Sequence, residues 1–244
     1  MSRVVNQVAV VTGASGGIGY VLAKLAAEEG FDLVVAADEP QIEDAARMLR
    51  SLGATVHAIQ ADVETTEGVD KVYAAARAVG RPITALFANA GRGLDQAFLD
   101  QDTADGRHVI DTDATGTLYL IQKLGRDFRT RNEGRILITG SIASSGAKAF
   151  IDSFSLVLRN ELKDTAVTVT CLLPGPAETE FFARAGLIEA EMREDEKDEA
   201  ALVARIAFDA MMNGEGDIVS GWKNKLQASL TDVRQSGMLN DMAS

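Results

Sequence analysis

Cysteine occurs once among the 244 residues, at Cys171, so no disulfide can form within the chain. So few thiols fit a reducing compartment, and a cytoplasmic setting is expected. Proline occurs four times, and no Pro/Ser-rich stretch, low-complexity tract or fixed-period repeat marks a domain boundary. The two histidines, His57 and His108, are isolated from any Cys/Asp/Glu arrangement at ligand spacing, so a metal site is not expected. Basic residues are outnumbered by acidic ones, 24 to 36, which leaves a net charge of −12. A chain with a pI near 4.7 lacks the concentrated Lys/Arg that nucleic acid or an anionic membrane requires. No apolar run approaches the roughly 20 residues of a membrane-spanning helix. Met1-Ser2-Arg3-Val4-Val5 passes into a strand-like segment too quickly for a secretory signal.

What remains is ordinary globular composition, 46% hydrophobic and 25% charged, long enough for one domain over 1–244 with a substantial core. Short β-branched runs alternate with stretches of helical period. Strands are expected at Val8–Thr12, Leu33–Ala37, Val56–Gln60, Ala85–Ala88, Ile136–Thr139, Val167–Leu173 and Ile218–Val219. Helices are expected near 18–29, 41–51, 67–79, 107–129, 148–163 and 199–212. Runs such as Val8-Ala9-Val10-Val11 and Ile136-Leu137-Ile138 are apolar on both faces, the mark of parallel strands covered on each side. The fold class is therefore α/β, a doubly wound sheet of about seven parallel strands with helices on both faces. The Glu-rich stretch from Gly175 to Asp198 breaks the rhythm and follows a strand end. It reads either as a substrate lid near 176–198 or as a solvated surface helix.

Thr12-Gly13-Ala14-Ser15-Gly16-Gly17-Ile18-Gly19 follows the first strand and opens the first helix. Glycines there let the backbone turn sharply and approach a diphosphate, while the helix start offers free N–H groups and a positive dipole end. Glycines also serve tight turns, but the strand–turn–helix context is the one that dinucleotide binding demands. Gly13, Ser15, Gly17, Ile18 and Gly19 are thus candidate cofactor contacts. The second strand runs into Asp38, whose carboxylate can accept from adenosine ribose hydroxyls and repel a 2′-phosphate, or merely end a strand. With Glu39 beside it, the expected cofactor is NAD in preference to NADP. At the third strand end, Asp62 with Val63 is a candidate for the adenine edge.

Thr12, Gly13, Gly17 and Gly19 have the T-G-x-x-x-G-x-G spacing of the short-chain dehydrogenase/reductases, and the resemblance continues along nearly the whole chain. Asn89-Ala90-Gly91 resembles that family's N-A-G segment after the fourth strand. Pro174-Gly175-Pro176 with Thr179 resembles its P-G…T segment on the nicotinamide side. Ser141 matches its substrate-holding serine, and Lys148 its lysine. The resemblance implies a Rossmann-like fold, NAD(P), and hydride transfer between nicotinamide and an alcohol/carbonyl carbon. It also implies that Lys148 binds the nicotinamide ribose and lowers the pKa of a tyrosine that moves the proton. Asp113 occupies the place of an asparagine that helps seat a relay water in the family.

The departure from the pattern is local. Four positions before Lys148, where the family has its tyrosine, stands Ser144. Ser141 and Lys148 are only seven positions apart, well short of the family's interval. Three readings follow. A tyrosine-bearing segment stands between Ser144 and Ser145 in the native chain and is missing from the sequence as written. Alternatively the protein binds NAD without turnover, as a sensor or scaffold. Or an active enzyme uses another proton donor.

Elsewhere the bland readings dominate. Cys171 lies in an apolar strand and is expected in the core. Phe208, Met211 and Met212 read as core or subunit contact, Trp222 as the lining of a pocket or an interface plug, and the amphipathic 223–233 stretch as a contact with a partner subunit. Val109, Leu118, Leu120 and Ile121, with Phe150, Phe154 and Leu158, exceed what sheet packing needs. By resemblance, their helices build a homodimer or homotetramer contact.

Overall fold

A computed structural model describes residues 6–92, 98–140, 146–174 and 194–219, with the backbone alone at 98, 146–148, 194–199 and 219. All seven expected strands form: β1 (Val8–Thr12), β2 (Asp32–Ala37), β3 (Val56–Gln60), β4 (Ile83–Ala88), β5 (Gly134–Thr139), β6 (Val167–Leu173) and β7 (Asp217–Val219). They make one sheet in the order β3-β2-β1-β4-β5-β6-β7, and every neighbouring pair is parallel. The order reverses between β1 and β4, so their C-terminal ends flank the crevice where open α/β sheets bind ligands.

The two-sided apolar runs explain the layering. Every residue of β1 and β4 is buried, whereas edge strand β3 exposes His57 and Gln60. Alternation along each strand then divides the core into two layers. On one face Ala9, Val11, Leu33, Val35 and Phe87 pack under α1 (Gly17–Glu29) and α2 (Ile42–Ser51). Phe208 belongs to the same layer and comes from the last described helix, α7 (Glu194–Asn213). It stacks on Phe87 with ring centroids 5.9 Å apart. On the other face Val10, Val34, Leu86, Ile136 and Ile138 pack under α3 (Thr66–Ala78), α5 (Thr117–Arg131) and α6 (Gly146–Leu162).

Helix α1 stops at Gly30, a left-handed cap with φ of 101°. There Gly30 N–H donates to Ala27 and Phe31 N–H to Ala26, satisfying the last carbonyls of α1.

The stretch expected as a single helix over 107–129 is three pieces. These are α4 (Thr103–Ile110), a π-helical turn over Asp111–Gly116, and α5. Two contacts account for the widened turn. A Cβ on Gly116 would lie 1.8 Å from the Val63 carbonyl oxygen, so the helix meets the loop after β3 backbone to backbone. The Thr117 hydroxyl donates five residues back to the Thr112 carbonyl at 3.3 Å, filling the looser ring. Single π turns of this kind concentrate at functional sites.

The apolar surplus also divides differently. Val109, Leu120 and Ile121 are core residues at 5% exposure or less, and Leu118 packs against the same layer. On α6, Phe154 and Leu158 also pack against that layer; of the expected positions there Phe150 is exposed, and Leu156 and Val157, which were not expected, are exposed with it.

Cys171 sits in β6, buried as expected. Burial, helped by the nearby Asp152 carboxylate, pushes its thiol up to about 12 from 9.0. The folded chain therefore keeps this thiol neutral well above the pH at which the unfolded chain ionises it. Its contribution to stability is full below pH 9 and is lost as pH climbs toward about 12. The expected result is a thiol inert to iodoacetamide at mildly alkaline pH and fully modified in denaturant; mass spectrometry of the alkylated chain checks it.

Candidate functional site at the C-terminal ends of the central strands

The turn after β1 is built by backbone contacts that exclude side chains. Gly13 and Gly17 have φ of 65° and 54°, in the left-handed region. A Cβ on Gly13 would sit 2.9 Å from Ala90 Cα, and one on Gly19 would sit 2.1 Å from the Gly13 carbonyl oxygen. The turn is also held laterally, because Ala14 N–H donates to the Ala36 carbonyl of β2 at 3.2 Å. Helix α1 starts on Gly16, which has no side chain to cap it, and carries no acid in its first turn. Its amide ends, with Ile18 buried just behind them, form the positive end of a helix dipole at the mouth of the crevice. This cradle fits a diphosphate: glycine backbone on one side, helix amides on the other.

Asn89 is the hub of the site. The Thr12 hydroxyl accepts from the N–H groups of Asn89 and Ala90, both at 3.1 Å. The Asn89 amide nitrogen donates back to the carbonyls of Thr12 and Gly13 at 3.4 and 3.5 Å, and its Oδ1 accepts from the Thr139 hydroxyl at 3.0 Å. One side chain thus ties the ends of β1, β4 and β5, which explains why this segment needs an amide that both donates and accepts. Thr139 was not legible as a site residue; its only signal is a polar side chain at the C-terminal end of an otherwise apolar strand.

Past Gly91, Arg92 joins two candidates that the sequence left separate. Its backbone N–H donates to Oδ1 of buried Asp113 at 2.7 Å, which fixes the π-helical turn beside the end of β4. Its guanidinium forms an ion pair with the Asp38 carboxylate at the end of β2. The Asp38 carbonyl in turn accepts from Gln60 of β3 at 2.9 Å. Glu39 points the other way, accepting from the Ser15 hydroxyl in the turn at 3.1 Å. Both acids expected to face the adenosine are therefore engaged by groups of the crevice itself. Arg92 was missed although a charged residue directly after a strand-end motif is a signal in this class of fold.

Asp62 and Val63 are placed differently from that group. Asp62 Oδ1 accepts from Glu64 N–H at 3.0 Å, and its carbonyl accepts from the backbone and hydroxyl of Thr65. Thr65 then caps α3 by accepting from Gly68 N–H. Asp62 thus builds the turn into α3, and Val63 supplies the carbonyl against which Gly116 packs. Lys148 lies in the first turn of α6, and Pro174, buried, ends β6 at the same edge of the sheet. Gly140, next after β5, is closed in by Asp152 of α6: a Cβ there would fall 1.9 Å from its Oδ1. Ser141, Gly175, Thr179, the lid candidate up to 193, Trp222 and 223–233 lie outside the described residues.

With this geometry in view, the similarities to known proteins are informative. A sequence model of the short chain dehydrogenases matches residues 7–189. An NADP-dependent 3-hydroxy acid dehydrogenase of Salmonella typhi is 32% identical over 180 residues, covering 69% of this chain and 71% of that protein. An uncharacterized oxidoreductase of Staphylococcus aureus strain MW2 is 28% identical over 194 residues, covering 75% of this chain and 83% of its own length. Among solved structures, a short-chain dehydrogenase from Sphingobium yanoikuyae in complex with NADPH superimposes with a TM-score of 0.79 at 25% identity. That match covers 96% of both chains. A short-chain dehydrogenase/reductase from Burkholderia phymatum in complex with NAD shares the fold with a TM-score of 0.77 at 24% identity, over 96% of this chain and 94% of that one.

Proposed function

The chain belongs to the short-chain dehydrogenase/reductase family of oxidoreductases, and we propose that it transfers a hydride between a nicotinamide dinucleotide and an alcohol or carbonyl carbon. The observation that carries the reading is the Thr12–Asn89–Thr139 network, which sets the glycine turn, the end of β4 and the end of β5 around one crevice. The bound nicotinamide supplies the hydride acceptor or donor. The residues of this chain do the rest. Turn amides from Gly13 to Gly19 hold the diphosphate, and the Asp38 carboxylate accepts from ribose hydroxyls, which favours NAD over NADP. Asn89, Ala90 and Gly91 wall the crevice at the end of β4, and Pro174 follows β6; by resemblance, Pro174, Gly175 and Thr179 hold the nicotinamide side. Ser141 holds the substrate oxygen. Lys148 binds the nicotinamide ribose and stabilises an ionised neighbour, and Asp113 fixes the π-helical turn on the relay side.

A single domain with a lid over 176–198 would close on the substrate, a small or medium alcohol or carbonyl compound. The exposed apolar face of α6 (Phe150 51%, Leu156 52%, Val157 65%) suits a homodimer or homotetramer contact. A cytoplasmic setting agrees with the lone buried thiol, and no described helix is long and apolar enough to cross a membrane.

Ser144 in the tyrosine's place favours a second reading, a dinucleotide-binding sensor or scaffold without turnover. Two measurements separate them. Calorimetry with NADH and NADPH is expected to detect micromolar binding, and no heat with either at millimolar concentration would overturn both readings. Intact mass and peptide sequencing of the native protein decide the rest. A mass above 25.9 kDa with a Tyr-Ser-Gly-Ala-Lys peptide, together with carbonyl-dependent NADH consumption, is expected for the enzyme. A mass equal to that value, with binding but no turnover across a carbonyl panel, establishes the sensor.

A further inference from the structure

We propose that Arg92 is a cofactor-discriminating residue, the guanidinium that meets a 2′-phosphate on the adenosine ribose and so admits NADP to a crevice whose strand-end acids favour NAD. The inference rests on the dinucleotide reading above and concerns which dinucleotide the same crevice accepts.

The argument starts from position. In the sheet, β1 lies between β2 and β4, so an ion pair from beyond β4 to the end of β2 passes across the C-terminal end of β1. Arg92 makes that crossing. Its main chain is pinned by Asp113 on one side of the crevice, at 2.7 Å, and its guanidinium reaches Asp38 on the other. The side chain therefore already lies along the path that an adenosine must occupy to reach Asp38. Both partners keep access to water, with side-chain exposures of 47% and 39%, so the pair is exchangeable at little cost.

Charge then decides what exchanges with it. Asp38 and Glu39 alone place two negative groups at the ribose end, which disfavours a dianionic 2′-phosphate. Glu39, however, is turned toward the glycine loop by Ser15. The remaining acid, Asp38, is the one that Arg92 neutralises. An incoming ribose diol takes over the Asp38 carboxylate and leaves the guanidinium free. A 2′-phosphate offers the guanidinium a stronger, bidentate partner than the carboxylate it gives up. Arg92 thus works in both cases, as a released counter-ion for NAD and as a ligand for NADP. Because its backbone bond to Asp113 involves no side-chain atom of Arg92, substitution at 92 removes the guanidinium while leaving that anchor in place.

The test uses fragments that separate the 2′-phosphate from everything else. Binding of 5′-ADP and of 2′,5′-ADP is measured by calorimetry on the wild type, Arg92→Gln and Arg92→Lys, each checked for an unchanged melting temperature. Arg92→Gln is expected to weaken 2′,5′-ADP by tenfold or more while changing 5′-ADP by less than about threefold, since only one ligand offers the guanidinium a phosphate. Arg92→Lys, which keeps the charge but not the fork, is expected to fall between. Binding of 2′,5′-ADP by the wild type is also expected to weaken with added salt more steeply than its binding by Arg92→Gln. Equal changes for both ligands, no change for either, or no detectable 2′,5′-ADP binding by the wild type would overturn the proposal while leaving dinucleotide binding intact. If neither fragment nor either full dinucleotide binds the wild type, the crevice is not a nucleotide site and both conclusions fall together.

Discussion

Gly19→Ala is expected to lose nicotinamide dinucleotide affinity by a hundredfold or more. Its new Cβ would lie 2.1 Å from the Gly13 carbonyl oxygen, 2.8 Å from the carbonyl carbon and 2.5 Å from the Asn89 amide nitrogen. Two of these atoms are backbone in a turn that Ala36 and Asn89 already hold, so the collision cannot be relieved by a rotamer change. The turn must open, and the amides that would face a diphosphate move with it. Overpacking of this sort also costs roughly 1–3 kcal/mol of stability, so the measurement needs controls that separate unfolding from lost binding. Gly134→Ala is one. Its Cβ would fall 2.3 Å from the Phe128 ring at the opposite end of the sheet, so stability is expected to drop while affinity stays. Gly106→Ala is the other, a helical glycine with nothing within 4 Å, expected to be neutral or slightly stabilising. Fluorescence titration with NADH and urea unfolding on all three give the comparison. A Gly19→Ala protein that binds like the wild type would show that the turn is not where the diphosphate sits.

Why that turn was legible when other features were not follows from the range of the interactions. Strand positions, the two-sided burial of the central strands and the glycine turn depend on local pattern: β-branched runs buried on both faces, helical period between them, and glycines where strand meets helix. Each signal lies within about a dozen residues of sequence, so it can be read without a partner. The π-helical turn depends instead on Gly116 meeting the Val63 carbonyl, a contact between segments more than fifty residues apart. Nothing within 107–129 announces it. The same holds for Arg92, whose significance lies in Asp38 on the far side of β1 and Asp113 on a helix. Asp62 carries a second task beside the one its position suggests: as a strand-end acid it fits the pattern of an adenine contact, and one oxygen of its short side chain also accepts from the Glu64 amide in the turn that follows. The apolar positions on the helices needed the sheet in place before they could be sorted. Leu120 and Ile121 face inward on the same helix that carries half-buried Tyr119, while among the described residues α6 leaves Phe150, Leu156 and Val157 exposed and α7 leaves Leu202 and Ile206 exposed.

Ser144→Tyr, made in the chain with the sequence written here, is the second large effect expected, and it runs toward gain. A positioned general acid contributes roughly 10²–10⁴-fold to proton transfer, and a serine hydroxyl lacks both the acidity and the reach of a phenol. Tyrosine at 144 would stand four positions before Lys148, where the family resemblance puts it. A nearby ammonium favours the phenolate, so Lys148 would draw the new phenol down toward the working pH. Carbonyl reduction, followed as kcat/KM with NADH, is expected to rise by a hundredfold or more, and the rate should acquire an alkaline limb where the phenol loses its proton. Adding Lys148→Met in that background should move the limb upward in pH and take back most of the gain. These signatures distinguish a restored acid from a mere change in packing, which would alter KM or stability without a new ionisation. A Ser144→Tyr protein that binds NADH as before, yet shows neither gain nor limb, would mean that the interval from Ser141 to Lys148 is too short to bring a phenol to the substrate. Turnover would then need the longer, tyrosine-bearing segment and not the single side chain.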